Sequence, residues 1–219
     1  MILDNIFFNQ DAIAVAELLL GKVIHHKYDN ILLSAQIIET EAYFINEKGS
    51  HASLGYSESR RALFMPPSTI YMYYARGGDS LNFSCKGNGN AVLIKSGIPF
   101  LQKFGRDKMI KMMQKLNPIG NRIRKPMRLC SGQTLLCKSI GLKVPNWNRQ
   151  TLQKGKLYLE DVGIKPSKII VAKRLGIPKG RDEDLMYRFI DFDNVKYSTK
   201  NPLSVRVSIE GKDYIIKSA

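Results

Sequence analysis

Two extended, β-branched stretches, Lys22 to Tyr28 and Ile31 to Tyr43, are separated by only Asp29 and Asn30. Two residues are too few for a crossover, so the stretches must pair antiparallel as a hairpin around a tight turn. This places the segment Ile37-Ile38-Glu39-Thr40-Glu41-Ala42-Tyr43 at the far end of the second strand. The pattern continues downstream. Thr69 to Ala75 and Ser80 to Ser84 read as strands joined by Arg76-Gly77-Gly78-Asp79, and Ala91 to Ser96 follows a Gly-Asn-Gly turn, giving a meander. Shorter strands are expected at Leu157 to Asp161, Lys168 to Arg174 and Leu203 to Ile209.

Helices fall between these strands. Asn9 is expected to cap one whose apolar positions Ile13, Ala16, Leu19 and Leu20 share a face, with Gly21 as its stop. Phe100 to Leu116 reads as a second, and Ser131 is expected to cap a third that runs to Ile140. With 219 residues and 44% apolar content, the chain can bury one substantial core. The expected fold class is α+β: residues 1–219 as a single mixed domain with a curved, mostly antiparallel β-sheet and surrounding helices.

Thirty-four Lys and Arg against nineteen Asp and Glu give a formal charge of +15, which favours a polyanionic partner, with nucleic acid first. More than half of that excess lies between Lys103 and Arg128, where nine basic residues meet one acid, Asp107. No window approaches the roughly 20 apolar residues of a membrane span and no export signal opens the chain, so a cytoplasmic, nucleoid-associated enzyme, or a nuclear one in a eukaryote, is expected. Cys85, Cys130 and Cys137 are scattered and odd in number, fitting a reducing compartment; neither they nor the three histidines suggest a metal site, and no cofactor is expected.

Side chains two apart in a strand share a face, so Glu39, Glu41 and Tyr43 project to one side. Two carboxylates flanked by Ile37, Ile38 and Ala42 belong either at a wet edge with a salt bridge or in a cleft with opposing basic groups. Tyr71 and Tyr73 share a face on the next strand, which suits core packing or a stacking slot for a flat base. Lys95 either snorkels to solvent or pairs with Glu41 and keeps it ionised. The long stretch Phe44 to Ser68, with little periodicity, is expected to line a site.

In order, Glu39-Thr40-Glu41-Ala42-Tyr43, His51, Phe64-Met65 with Pro67, Thr69-Ile70-Tyr71-Met72-Tyr73, Asn82 and Leu129-Cys130-Ser131-Gly132 resemble the alkyladenine (methylpurine, 3-methyladenine) DNA glycosylase family over roughly Leu19 to Ile209. The resemblance implies a fold shared with the carboxyl-terminal domain of methionyl-tRNA formyltransferases and a pocket for an everted purine. It also implies hydrolysis of the N-glycosidic bond of alkylated or deaminated purines, without a lyase step, by a monomer acting on double-stranded DNA. Glu41 would then be the general base that activates water, with Lys95 beside it and the Leu175 carbonyl helping to hold that water. Tyr43, His51, Tyr73 and Asn82 match base-pocket positions. Arg76 stands where vertebrate members carry an intercalating tyrosine, so Arg76 and Gly77 are the candidates for entering the duplex. Lys95 stands where the family often has an arginine, whose planar fork an ammonium does not reproduce.

Lys103, Arg106, Arg128, Lys173 and Arg174 are the phosphate-binding candidates, from the two basic segments Lys103 to Arg128 and Lys168 to Arg188. Two other classes compete with this reading. One is a noncatalytic nucleic-acid-binding module, against which the acid and tyrosines speak. The other is a carbohydrate glycosidase using Glu39 and Glu41, which the basic surface suits poorly.

Overall fold

The hairpin turn adopts the backbone its sequence demands: Asp29 and Asn30 both have positive φ, 44° and 61°, as the twist-matched two-residue turn requires. A computed structural model describes residues 1–75, 77–101 and 105–219. Strands β1 (Val23–Tyr28) and β2 (Ile31–Tyr43) flank that turn. They are followed by β3 (Ile70–Ala75), β4 (Gly78–Ser84), β5 (Ala91–Pro99), β6 (Leu157–Glu160), β7 (Lys168–Ala172), β8 (Arg188–Asp191) and β9 (Tyr214–Ser218). These nine form one sheet in the order β3-β4-β5-β2-β8-β7-β9, with β1 paired to β2 and β6, and every pairing between named strands is antiparallel. The class is α+β.

Helix α1 (Asn5–Phe8) precedes α2 (Ala12–Leu18), and α3 (Arg106–Leu116), α4 (Gln133–Ser139) and α5 (Val144–Trp147) come later. The α2 cap is Asp11, whose carboxylate accepts from the Ile13 backbone N–H at 2.8 Å; Asn9 instead ends α1, which Asp4 caps. Ser131 does not cap α4 either, since its hydroxyl donates to the Tyr197 carbonyl at 2.6 Å. The strand expected over Leu203 to Ile209 is absent. Pro202 to Ser204 form a 3-10 turn, and the outer strand is Tyr214–Ser218. In the long segment after β2, short 3-10 turns occupy His51–Leu54 and Arg61–Phe64.

The principal core lies where helices cover one face of the sheet: Phe8, Val15, Ala16 and Leu19 from the amino-terminal helices meet Leu136 and Cys137 of α4 and the inward residues of β2, β4 and β5. On β2 the core-facing residues change parity along the strand. Leu33, Ala35 and Ile37 face the core, but so does Ala42, while Thr40 reaches α2 by donating to the Ala16 carbonyl at 2.8 Å. The cause is a β-bulge. Ile37 opposes Gly97 and Glu39 opposes Ser96, leaving Ile38 as an extra residue on β2. One inserted residue turns every later side chain to the other face, so Glu39, Glu41 and Tyr43 leave the core side.

A second irregularity on β5 restores the register, because Glu39 pairs with Ser96 but Thr40 pairs with Ile94, which leaves Lys95 as the extra residue there. Beside the first bulge the backbones lie close: a Cβ at Gly97 would sit 2.8 Å from the Gln36 carbonyl oxygen, so only glycine fits. The other edge of β2 changes partner at the same place, from β1 (residues 31 to 36) to β8 (residues 39 to 41).

Two core histidines are expected to make the fold sensitive to acid. His25 and His26 are 1% and 7% exposed; His26 Nδ1 lies 2.6 Å from the Ile140 carbonyl, and His25 Nδ1 lies 2.8 Å from the Ser34 hydroxyl. Burial lowers both pKa values below the ordinary 6.5, opposed in part by Glu160 beside His25 and by the Ile140 carbonyl beside His26. Below about pH 6.5 the unfolded chain therefore binds protons that the native chain refuses. Stability from this source is intact above that pH and lost as the pH falls below it, with a slope approaching about 1.4 kcal/mol per pH unit for each histidine. Melting temperatures measured across this range should be flat above neutrality and fall below pH 6.5, and His26→Phe should flatten the fall.

Candidate active site

A cavity of about 590 Å³ lies on the face of the sheet away from the principal core, the face to which the bulges turn Tyr43. Tyr43 lines it from β2; Tyr71, Tyr73, Tyr74 and Ala75 from β3; Asn82 from β4; and Ala91, Leu93 and Lys95 from β5. Loops complete the wall, with Gly49, Ser50 and His51 on one side and Leu175, Gly176, Ile177, Pro178 and Arg181 on another. Gly132, Gln133 and Thr134 at the start of α4, together with Thr199, close the rim.

The aromatic groups are ordered by contacts among themselves. Tyr71 and Tyr73, two apart on one face of β3, stack with centroids 5.4 Å apart and planes inclined by 26°. His51 sits edge-on to Tyr73 at 4.4 Å, and its Nδ1 lies 3.0 Å from the Tyr71 hydroxyl. Burial, reinforced by the nearby Arg60 and Arg181, lowers the His51 pKa and favours the neutral imidazole. Burial also raises the Tyr71 phenol. Asn82 donates its side-chain N–H to the Tyr71 carbonyl at 3.1 Å, which holds the amide against the cavity wall.

The two glutamates on the same face of β2 have opposite environments. Glu39 is saturated: it accepts from Arg188 Nε at 2.7 Å, the Ser96 hydroxyl at 2.6 Å, and the backbone N–H and hydroxyl of Thr199 at 2.9 and 2.6 Å. Burial is the largest single influence on its pKa and works upward, but Arg188, Ser96 and Thr199 together outweigh it and hold the carboxyl below its ordinary value. Such a group is a structural anchor. Glu41 is also fully buried, and it accepts from the Tyr43 hydroxyl at 2.7 Å to Oε2. Its Oε1 lies 3.1 Å from Lys95 Nζ, an ion pair off the hydrogen-bonding direction, so among the described residues this oxygen accepts no hydrogen bond. Burial, followed by the Glu41 charge and hydrogen bond, pushes the Tyr43 phenol well above its usual range, so it remains a donor.

A family model for methylpurine-DNA glycosylase matches residues 6–195 of this chain. The chain belongs to that family. Relatives provisionally named 3-methyladenine DNA glycosylase include one from Pseudomonas aeruginosa LESB58, 57% identical over 97% of this chain and 89% of the relative. Another, from Pseudomonas syringae pv. tomato, is 55% identical over 97% of this chain and 96% of the relative. A more distant one from Clostridium perfringens is 31% identical over 89% of this chain and 97% of its own length. Membership makes the chain a DNA glycosylase, an enzyme of base-excision repair.

Within this methylpurine-DNA glycosylase the sequence-derived residues separate into two groups. Tyr43, His51, Tyr73, Asn82, Lys95 and Leu175 all line the cavity, and Glu41 stands directly behind Tyr43 and Lys95 without forming part of the wall. Gly77 is exposed at the hairpin tip with φ 75°, while Arg76 and Lys103 lie outside the described residues.

The phosphate candidates divide differently. Arg106 and Arg128 are exposed. Arg174 is not available to phosphate: it is 4% exposed and donates to the Ala42 carbonyl and both oxygens of Glu47. Lys173 is also committed, with its ammonium 2.8 Å from Asp184 and 3.6 Å from Asp213. A count of basic residues cannot reveal this, because the acids that neutralise Lys173, Arg174 and Arg188 are distant in sequence. Sequence reasoning left Tyr71 between core packing and a stacking slot, and omitted Thr134, Ile177, Arg181 and Thr199 from the site. The even spacing of Tyr71 and Tyr73 was a usable signal; the loop residues carried none.

Proposed function

We propose that this protein flips an alkylated or deaminated purine out of double-stranded DNA into the aromatic cavity and hydrolyses its N-glycosidic bond, with Glu41 as general base. Residues 1–219 would form the one domain that does this, acting as a monomer without a lyase step. The observation that carries the reading is the buried Glu41 carboxylate, held by Tyr43 and Lys95 at the back of an aromatic cavity of base-accommodating size.

A base in the stack is closed to attack at its sugar carbon, so extrusion comes first and is easiest for a damaged or mispaired nucleotide. Tyr43 and the Tyr71–Tyr73 pair offer π-faces to the extruded purine. Asn82 and neutral His51 offer polar groups at its edge. Cleavage develops positive charge on the sugar and needs a nearby carboxylate and an oriented water. Glu41 Oε1, which accepts no hydrogen bond among the described residues, would take the water proton, while the Lys95 ammonium lies 3.1 Å from it and the Leu175 carbonyl would share in orienting the water. Incubation with duplexes carrying 3-methyladenine, hypoxanthine or ethenoadenine tests the reading: free purine and abasic sites support it, and retention of the base with every lesion refutes it.

DNA-backbone binding is best assigned to the segment from Arg106 to Arg128. Arg106, Lys108, Lys111, Lys115, Arg122, Lys125 and Arg128 are exposed, and among the described residues none is in an ion pair. The surface adjoins the cavity rim through Ser131, which lines a basic groove with Arg122, Arg124, Lys125 and Arg128, while the next three residues line the cavity. Each phosphate neutralised contributes about 0.9 to the slope of log affinity against log salt. Replacing Lys111, Lys125 and Arg128 by Ala should therefore weaken duplex binding and flatten a salt titration by roughly 2 to 3 in that slope. The same replacements at Lys173 should change the slope little.

A further inference from the structure

We propose that Arg174 is a positioning residue that acts on the lesion through Tyr43, setting how strongly the pocket prefers neutral over positively charged purines. The inference rests on the aromatic-pocket reading above and adds a determinant of substrate charge to it. The Arg174 guanidinium carbon lies 4.5 Å from the centroid of the Tyr43 ring and 5.5 Å from that of Tyr187. Tyr43 lines the cavity and Arg174 does not, so the phenol ring separates the guanidinium from the space a flipped base would occupy.

Hydrogen bonding does not by itself account for this placement. Nη1 donates to Ala42 and Glu47 and Nη2 donates to Glu47, but the buried Nε has no acceptor among the described residues. What the location does provide is a cation stacked against one face of a tyrosine. An aromatic ring attracts cations through the negative charge of its faces. A purine made cationic by alkylation and stacked on the open face would therefore meet a ring already occupied by a like charge from behind. A neutral purine such as hypoxanthine would feel stacking alone.

Glu47 moderates the effect. Its carboxylate lies 2.5 Å from Arg174 Nη1, is 4% exposed, and also accepts from the Phe44 backbone N–H at 3.0 Å. The paired carboxylate compensates most of the guanidinium field. With the carboxylate replaced by an amide, the field passes through Tyr43 unopposed. The two members of the pair should thus shift lesion preference in opposite directions, a pattern that loss of packing does not produce.

The test is single-turnover release of 7-methylguanine, which is cationic in DNA, and of hypoxanthine, which is neutral, expressed as the ratio of the two rates. Glu47→Gln should lower the ratio about threefold or more, and the double variant Glu47→Gln/Arg174→Met, which removes both charges, should bring it back to the wild-type value or slightly above. Arg174→Lys, which keeps the charge and loses the planar fork, should reduce both rates while leaving their ratio near wild type and above that of Glu47→Gln. Equal losses on both lesions across the variants would overturn the proposal and leave Arg174 a packing residue. Should the double variant fail to fold, Glu47→Gln and Arg174→Lys carry the test, and unchanged ratios in both overturn it. Absence of release by the wild-type protein would instead refute the glycosylase reading of the pocket.

Discussion

Glu41→Gln is expected to lower base release by about 100- to 10,000-fold, the usual contribution of a general base, while duplexes carrying a lesion remain bound. The amide retains an oxygen to accept from the Tyr43 hydroxyl, now 2.7 Å from Oε2, so the cavity should keep its shape. It cannot take a proton from water. Because Lys95 would lose its charge partner, some destabilisation is also expected, and the rate must be compared at temperatures where both proteins are folded. Single-turnover release from a hypoxanthine duplex, set beside a binding isotherm for the same duplex, separates the chemical loss from any loss of affinity. Release at the wild-type rate would remove Glu41 from the mechanism.

Arg188→Met is expected to produce the largest loss of stability, about 3 to 5 kcal/mol, because it strands the Glu39 carboxylate in a site with 0% exposure. For a chain of this length that corresponds to a fall in Tm of roughly 10 °C. The guanidinium also donates to the Thr199 hydroxyl at 3.1 Å and the Lys200 carbonyl at 2.9 Å, so the segment that brings Thr199 to the cavity rim should loosen as well. Adding Glu39→Gln removes the stranded charge and should recover much of the loss. Thermal unfolding of the single and double variants measures both effects, and a single variant within 1 °C of wild type would contradict the assigned role.

Much of the sheet was legible because its signals are local. The β1–β2 hairpin follows from Asp29 and Asn30, and the β3 to β5 meander from glycine-rich turns between alternating segments. The β8 and β9 strands were missed. Arg188-Phe-Ile-Asp is only four residues long, and it owes its place in the sheet to pairing with both β2 and β7. Helix caps failed where two Asx residues lay close together: Asn9 and Asp11 are both competent, and only the backbone entering α2 selects Asp11.

At the site, period-two alternation correctly places Glu39, Glu41 and Tyr43 on a common face, but it does not distinguish their tasks. The distinction comes from Arg188, Ser96 and Thr199, distant in sequence from Glu39, which satisfy it, whereas Glu41 accepts from Tyr43 and keeps an oxygen without a hydrogen bond among the described residues. The same distance effect removes Arg174 from the basic surface, since its partner Glu47 is more than a hundred residues earlier.

The matched extra residues at Ile38 and Lys95 have a consequence for how the chain can change over time. Losing either one alone would exchange inside for outside along the rest of that strand, driving carboxylates into oil and aliphatic groups into the pocket. Losing both would bring the strands back into step but delete the ammonium that faces Glu41. Point substitutions can therefore drift through this region, whereas changes of length in β2 or β5 have almost nowhere to go.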